Sequence, residues 1–234
     1  MDEEKDLTIA AQNQMAEKIE AEAKQWAQAN PVFTQQIELL KKKGDTNNSF
    51  FVFFLDCVKE GEHLKVSYIL NFCFDSPESR ANFGNRQDSD GNTAYHHAAR
   101  LGHDEIITIL NDERPRNGKV AKMRFVLKNK EGKKPLELVC EHAHKSTFDL
   151  IWARAGKSNH NPCYAIKSAR MGGNVEIIAA IEQHPKFTKK ISLAQGVAQF
   201  GLQPAPKTGA EPPSKKARSG DDKEEFHDKR VNPQ

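Results

Sequence analysis

The chain contains several copies of one short sequence pattern, and this internal repetition limits the possible folds more than any other feature. Residues 91–102 (GNTAYHHAARLG) align with residues 132–143 (GKKPLELVCEHA) with every apolar position kept, and residues 162–173 (PCYAIKSARMGG) fit as a third copy. These copies are 41 and 30 residues apart, and a weaker copy lies at residues 50–70. Copies at such intervals predict supersecondary units that stack on one another.

Each copy continues into a second segment with the period of a helix. The segments are HDEIITIL after Gly102, HKSTFDLIW after Ala143 and NVEIIAAI after Gly173, and all three share an apolar pair followed by a further apolar step. Apolar residues at this spacing form one face of an α-helix. Each copy therefore predicts a turn, a short first helix and a second helix.

The copy at residues 88–103 is similar to the ankyrin repeat, whose pattern is D-x-x-G-x-T-P-L-H-x-A-A-x-x-G-H. The positions that carry the resemblance are Asp88, Gly91, Thr93, Ala94, Tyr95, His96, Ala98, Ala99, Gly102 and His103. The copies at 129–158 and 159–184 match at fewer positions, and the copy at 47–74 matches weakly. The resemblance implies an all-α ankyrin-repeat solenoid of about four degenerate helix-turn-helix repeats.

The rest of the chain divides into an extension, a cap and a tail around the repeats. Residues 1–45 predict two helices, the first with apolar residues at four-residue steps, which are Leu7, Ala11, Met15, Ile19, Ala23 and Trp26. Residues 46–185 form the repeat domain, and residues 186–203 predict a C-terminal capping helix. Residues 204–234 are rich in Pro, Gly and charge, which predicts a disordered tail.

Composition disfavours several classes of function. Lys and Arg total 35 against 32 Asp and Glu, and the net charge of +3 gives no general case for nucleic-acid binding. The most apolar run, residues 50–58, is shorter than the roughly 20 residues of a membrane span. The chain has four cysteines, no CxxC pair and no apolar signal segment at its start, so we expect a cytosolic protein with reduced thiols.

Histidines and cysteines in the repeats raise the question of a metal or catalytic site. The ankyrin resemblance implies that His96 is a buried hydrogen-bonding residue, and adjacent residues such as His96 and His97 diverge by about 100° on a helix, which suits one metal ion poorly. A Cys/His enzyme or zinc site is the alternative at the group formed by Cys140, His142, His144, His160 and Cys163. The alignment places Cys140 at a core position, so we expect no enzyme, no metal and no cofactor.

The ankyrin resemblance implies that turn tips and first helices form one concave surface that binds another protein. Charges alternate along this surface, which suits a partner of mixed charge. Arg100 and Leu101 are the strongest candidates, because an Arg beside an apolar residue is a typical hot spot. The residues that map to the surface are Ser89, Asp90, Asn92, Arg100, Leu101, Lys130, Glu131, Lys133, Glu141, His142, His160, Asn161, Cys163 and Met171.

Two connections are longer than the resemblance implies. The repeat that starts at Asp88 has 8 residues more than the family spacing of about 33. The insertion lies at residues 111–122 and carries four basic residues, Arg114, Arg116, Lys119 and Lys122. Two interpretations remain open, a solvated loop or a contact with an anionic surface such as phosphate, lipid or an acidic protein face. The other long connection, residues 69–85, has three phenylalanines that we expect to pack beneath it.

The C-terminal segment suggests a cellular context. Lys215, Lys216 and Arg218 form a candidate nuclear-import signal. The ending DDKEEFHDKRVNPQ resembles the hydrophilic C-termini of ankyrin-repeat effectors that intracellular bacteria such as Legionella and Coxiella inject through type IV secretion systems. The resemblance implies a non-catalytic effector that binds a eukaryotic host protein. The alternative is an endogenous cytosolic or nuclear ankyrin adaptor that regulates a transcription or signalling factor.

Overall fold

The computed structural model of the chain describes residues 2–42, 48–112, 114, 125–155, 162–185 and 187. Within these ranges the chain forms eleven α-helices and a short 3-10 helix, Pro162–Ala165, and no β-strand, which confirms the predicted all-α class. The helices are α1 Asp2–Ala29, α2 Pro31–Lys42, α3 Ser49–Lys59, α4 His63–Phe72, α5 Pro77–Gly84, α6 Ala94–Leu101, α7 Asp104–Leu110, α8 Pro135–Glu141, α9 Lys145–Ala155, α10 Ile166–Gly172 and α11 Val175–Glu182.

Helices α3 to α11, except α5, form four helix pairs that coincide with the four copies in the sequence. Each pair joins a first helix to a second helix, as α3 to α4, α6 to α7, α8 to α9 and α10 to α11. The first helices contact one another in chain order, and so do the second helices. The stack therefore has two rows, and one continuous apolar core lies between them.

Glycines end the first helices at positions where the backbone turns sharply. Gly102 follows α6 with φ of 73°, and Gly173 follows α10 with φ of 75°. The equivalent residue after α8 is Ala143, which takes the same left-handed conformation with φ of 62°. A non-glycine residue in this conformation costs about 1 to 2 kcal/mol, so the surrounding contacts hold Ala143 there.

The long connection after α4 contains a helix that the sequence analysis did not predict. Helix α5 begins at Pro77, and the Ser76 hydroxyl accepts a hydrogen bond from the Ser79 N–H at 3.1 Å. Phe83 is buried, with its ring centroid 4.8 Å from that of Phe74 and 5.1 Å from that of Phe54. The connection is therefore anchored by aromatic packing at Phe83, as expected, whereas Phe72 is 38% exposed.

Helix α1 packs across the row of second helices, against α4, α7 and α9. The predicted stripe was right at Ile19 and Ala23 but wrong at Ala11 and Met15, which are exposed, and the Leu7 side chain lies outside the described part. The buried residues of α1 are Gln12, Ala16, Ile19, Ala23 and Ala27, with Trp26 half-buried. Steps of four residues drift around a helix by about 40° each, whereas the observed mixture of steps of three and four stays on one face.

A buried polar network fixes α1 to the stack. The Asn111 side-chain N–H₂ donates to the Gln12 Oε1 and to the Leu150 carbonyl, both at 3.3 Å, and its Oδ1 accepts from the Tyr95 hydroxyl. The Gln12 amide also donates to the Leu150 carbonyl at 3.3 Å, and the Arg154 Nε donates to Gln12 at 3.4 Å. These bonds connect α1 with two helix pairs, α6–α7 and α8–α9, and packing against α4 extends the contact of α1 to a third pair.

Several predicted segments fall outside the described residues. The predicted capping helix at 186–203, apart from Phe187, and the tail at 204–234 belong to this part, as does most of the connection between α2 and α3. In the described ranges, no helix is both long enough and apolar enough to cross a membrane.

The close approach of α10 to α8 leaves no room for a side chain at Gly172. A Cβ at Gly172 would lie 2.1 Å from the Cys140 carbonyl oxygen, which is too short for any contact. We expect Gly172→Ala to lower the free energy of unfolding by about 3 kcal/mol, because backbone must move to accept the methyl group. Urea denaturation measures the loss.

Gly132→Ala is the matched control for this substitution. Gly132 has φ of +75°, and a Cβ there would have no atom within 4 Å. Only backbone strain of about 1 kcal/mol is then expected. Equal losses in the two variants would contradict the close approach of α10 to α8.

Candidate partner-binding surface

The residues predicted to bind a partner lie on the first helices and on the turns before them. We call the exposed sides of α6, α8 and α10, together with the turns before α6 and α8, the first-helix face. Those that are exposed are Ser89, Asp90, Leu101, Lys130, Glu131, His142 and Met171, and those that are half-buried are Arg100, Lys133 and Glu141. Asn92 is a correction, because it is only 4% exposed and cannot contact a partner. His160, Asn161 and the Cys163 side chain lie outside the described part.

The two described turns of this face are built alike from residues 41 positions apart. The Asp88 carboxylate accepts hydrogen bonds from the backbone N–H groups of Asp90 and Asn92 at 2.9 and 2.8 Å. In the next turn, the Asn129 amide oxygen accepts from the Lys133 N–H at 2.9 Å. A short acceptor at the first position of each turn therefore fixes the backbone that presents the tip residues.

The turns are also joined to each other. The Lys130 N–H donates to the Asp90 carbonyl at 2.9 Å, and the Asn129 amide donates to the Asn92 Oδ1 at 3.0 Å. Gly91 permits this approach, since it has φ of +76° and a Cβ there would lie 2.8 Å from the Lys130 nitrogen. The buried Asn92 thus aligns neighbouring turns from behind.

His96 is a buried hydrogen-bonding residue, as the sequence predicts. Its Nδ1 accepts from the Thr93 N–H at 3.1 Å, and its Nε2 lies 3.1 Å from the Lys133 carbonyl, to which it donates. The ring is 1% exposed, and burial lowers its pKa to about 4. His96 is therefore neutral at pH 7 and links the start of α6 to the next turn.

His97 has a different role from its neighbour. Its Nε2 lies 2.7 Å from the Asp88 Oδ2, and burial lowers its pKa although the hydrogen bond to Asp88 opposes this shift. Burial alone would raise the pKa of Asp88, but the bonds from His97 and the turn amides outweigh it and lower that pKa. Within the described ranges, no group of three or more His, Cys, Asp and Glu side chains is placed to hold a metal ion.

In the last three helix pairs, the residue that opens the second helix bonds back to the preceding pair. The His103 Nε2 donates to the Lys59 carbonyl at 3.2 Å, and the His144 Nε2 donates to the Arg100 carbonyl at 2.9 Å. The Asn174 amide donates to the Ala143 carbonyl at 3.4 Å. The repeat pattern alone predicts no such role for these residues, although their equivalent positions after Gly102, Ala143 and Gly173 are a signal for it.

The thiol of Cys140 is poorly placed for chemistry. It is fully buried in α8, and burial raises its pKa to about 12, so the reactive thiolate is scarce at pH 7. The His142 and His144 rings lie 6.3 Å apart, but His144 is engaged with the Arg100 carbonyl. The Cys140 thiol therefore packs in the core and is protonated at pH 7.

Arg114, the first basic residue of the insertion, meets an acidic protein face of its own chain. Its guanidinium donates to Asp112 at 2.9 Å and to Glu20 of α1 at 2.8 Å. Burial alone would raise the pKa of Asp112, but the bonds from Arg114 and the nearby Arg80 guanidinium lower it. Arg114 therefore braces α1, a correction to its candidacy as an external anion contact.

The other basic candidates lie outside the described residues. These are Arg116, Lys119 and Lys122 of the insertion and Lys215, Lys216 and Arg218 of the tail.

No protein-family model matches the chain, and no curated protein matches it significantly.

The buried His96 makes folding sensitive to acid. Its pKa in the folded protein, about 4, lies below the ordinary value of 6.5, so the unfolded chain takes up the proton first. The resulting stability is complete above pH 6.5 and is lost as the pH falls toward 4. Between pH 6.5 and 4, we expect the free energy of unfolding of the wild type to fall by up to about 3 kcal/mol more than that of a His96→Gln variant.

Urea denaturation of both proteins at several pH values between 4 and 7.5, roughly the window in which His96 titrates, measures this difference. Carboxylates such as Asp88 and Asp112 titrate in both proteins, so the comparison isolates His96. Parallel curves would show that His96 is not held neutral by its burial.

Proposed function

We propose that the protein is a non-catalytic ankyrin-repeat solenoid that binds another protein through its first-helix face. Support comes from the four stacked helix pairs and from the ankyrin-like turn, in which Asp88, Thr93 and His96 all make hydrogen bonds that shape the backbone. In such stacks each unit contacts only its neighbours, which creates an extended surface suited to recognition.

One observation carries the proposal. Buried contacts align the first helices, while large apolar side chains of the same helices remain exposed to solvent. His144 holds the Arg100 carbonyl, while the adjoining Leu101 side chain is 44% exposed. Two units on, Met171 is 64% exposed. Exposed apolar side chains flanked by charges on a rigid backbone are typical of an interaction surface.

Two cellular settings fit this function. In the first, the protein is a bacterial effector that acts on a eukaryotic host protein, a proposal that rests on the composition of residues 221–234 and on its combination with degenerate repeats. In the second, the protein is an endogenous cytosolic or nuclear adaptor. Binding through the first-helix face is common to both, and the identity of the partner decides between them.

Affinity capture from a eukaryotic cell lysate, followed by mass spectrometry, tests the proposal. We expect the wild-type chain to recover a partner that the double variant Arg100→Glu, Leu101→Glu loses, because both side chains lie on the proposed surface. The Arg100 carbonyl that accepts from His144 is retained in this variant, so the stack is expected to stay folded.

A matched control carries two charge changes elsewhere on the surface. Lys24 of α1 and Val32 of α2 are both exposed and lie outside the first-helix face, so Lys24→Glu, Val32→Glu should recover the partner as the wild type does. Circular dichroism checks that both variants are helical. Equal recovery by the wild type and the Arg100, Leu101 variant would place the interface elsewhere and contradict the proposal.

A further inference from the structure

We infer that the partner presents an acidic segment with apolar side chains to the first-helix face. This inference rests on the proposed function and adds the chemistry of the partner. Acidic and basic side chains alternate along the face in the sequence. Most of the acidic ones are engaged by other groups of the chain, whereas several of the basic ones are not, and the inference follows from this difference.

Most carboxylates of the face are paired internally. The Lys133 ammonium lies 2.8 Å from Glu141 and 3.2 Å from Glu131, so one cation engages two carboxylates. Asp88 is held by His97 at 2.7 Å, and the Glu137 carboxylate accepts from the Lys134 N–H at 2.9 Å. These carboxylates are therefore engaged within the chain, although the single Lys133 charge neutralises one of them and the neutral donors hold the others in place without cancelling their charge.

The unpaired charges are mainly positive. Among the described residues of the face, the cationic side chains of Arg100, Lys128, Lys130 and Lys167 make no ion pair or hydrogen bond, and that of Lys134 makes only a cation–π contact with the Tyr164 ring. Asp90 is the unpaired carboxylate within the face, and Glu60 adds one at the end of α3. The unpaired charged side chains available to a partner are thus mainly cationic, although the sequence alone suggests a mixed surface.

The cations lie on successive units of the stack. Arg100 is in the last turn of α6, Lys130 is in the turn before α8, and Lys167 is in the first turn of α10. Packed helices lie about 8 to 10 Å apart, so two steps from α6 to α10 span roughly 20 Å. An extended chain covers this distance in about six residues. The face therefore suits a short acidic peptide segment.

The apolar residues favour a protein over a nucleic acid. Leu101 and Met171 are exposed beside Arg100 and Arg170, so a partner with leucine-like side chains between its carboxylates would contact both kinds of group. Single-stranded nucleic acids need exposed aromatic side chains on which bases stack. Among the described residues of the face, no exposed side chain is Phe, Tyr or Trp.

Binding of defined peptides to the full chain tests the inference. The probe is a fluorescein-labelled synthetic peptide of alternating glutamate and leucine, about eight residues long. The comparison probes are a lysine/leucine peptide, a glutamate/serine peptide and a single-stranded oligothymidylate. We expect fluorescence anisotropy to show tightest binding of the glutamate/leucine peptide, weaker binding of the glutamate/serine peptide and no binding of the lysine/leucine peptide.

Two variants change the charge of the face in opposite directions. The triple variant Arg100→Glu, Lys130→Glu, Lys167→Glu should weaken binding of the glutamate/leucine peptide at least about tenfold, because attraction becomes repulsion. The double variant Glu131→Gln, Glu141→Gln releases Lys133 and should strengthen binding about threefold. The control variant Lys18→Glu, Lys24→Glu, Lys42→Glu reverses three exposed lysines of α1 and α2 and should bind the peptide within about twofold of the wild type, since screening limits long-range effects.

Several results would overturn the inference. These are tighter binding of the lysine/leucine peptide, tighter binding of the oligothymidylate, equal losses in the two triple variants, or no binding of the glutamate/leucine peptide. If the captured partner still depends on Arg100 and Leu101 in any of these cases, the proposed function stands and only the acidic character of the partner is wrong. If the glutamate/leucine peptide does not bind and capture of the partner does not depend on Arg100 and Leu101, both the proposed function and the inference are contradicted.

Discussion

The fold depends on side-chain hydrogen bonds that join each helix pair to the backbone of its neighbour. His96, His103 and His144 each direct a ring nitrogen at a carbonyl of an adjoining unit. The first helices are only 7 to 11 residues long, and helices of this length are marginal alone. Their stability must therefore come from packing and from these junctions, which also satisfy backbone groups that would be costly to leave unpaired.

Helix α1 complements the junctions by bracing the opposite side of the stack. Its small side chains allow close approach to α4, α7 and α9, while Gln12 and Asn111 supply directional bonds. The acidic residues of α1 meet Arg114, which is the first basic residue of the long insertion. Helix α1 covers the row of second helices. The proposed function therefore uses the other row, at the first-helix face.

The sequence predicts the helix pairs well because apolar period and turn residues act locally. It also predicts the burial and hydrogen bonding of His96. It misplaces Asn92, because a polar residue in a turn can point inward when a neighbouring turn offers a partner, here Asn129. The buried Gln12 and the pairing of Arg114 with α1 are missed for the same reason: both depend on residues roughly 90 or more positions away, which no local pattern encodes. The charge of the face likewise follows from pairing geometry, which composition does not reveal.

Site-specific photo-cross-linking tests the central claim most directly, because it reports where a partner touches the chain. A photoreactive amino acid is placed at Leu101 or Met171 of the first-helix face, or at Val32 or Val175, which are exposed elsewhere. We expect irradiation in a eukaryotic lysate to give the same protein adduct from Leu101 and Met171 and not from Val32 or Val175. An adduct formed only from Val32 or Val175 would show that the partner binds elsewhere and would contradict the account.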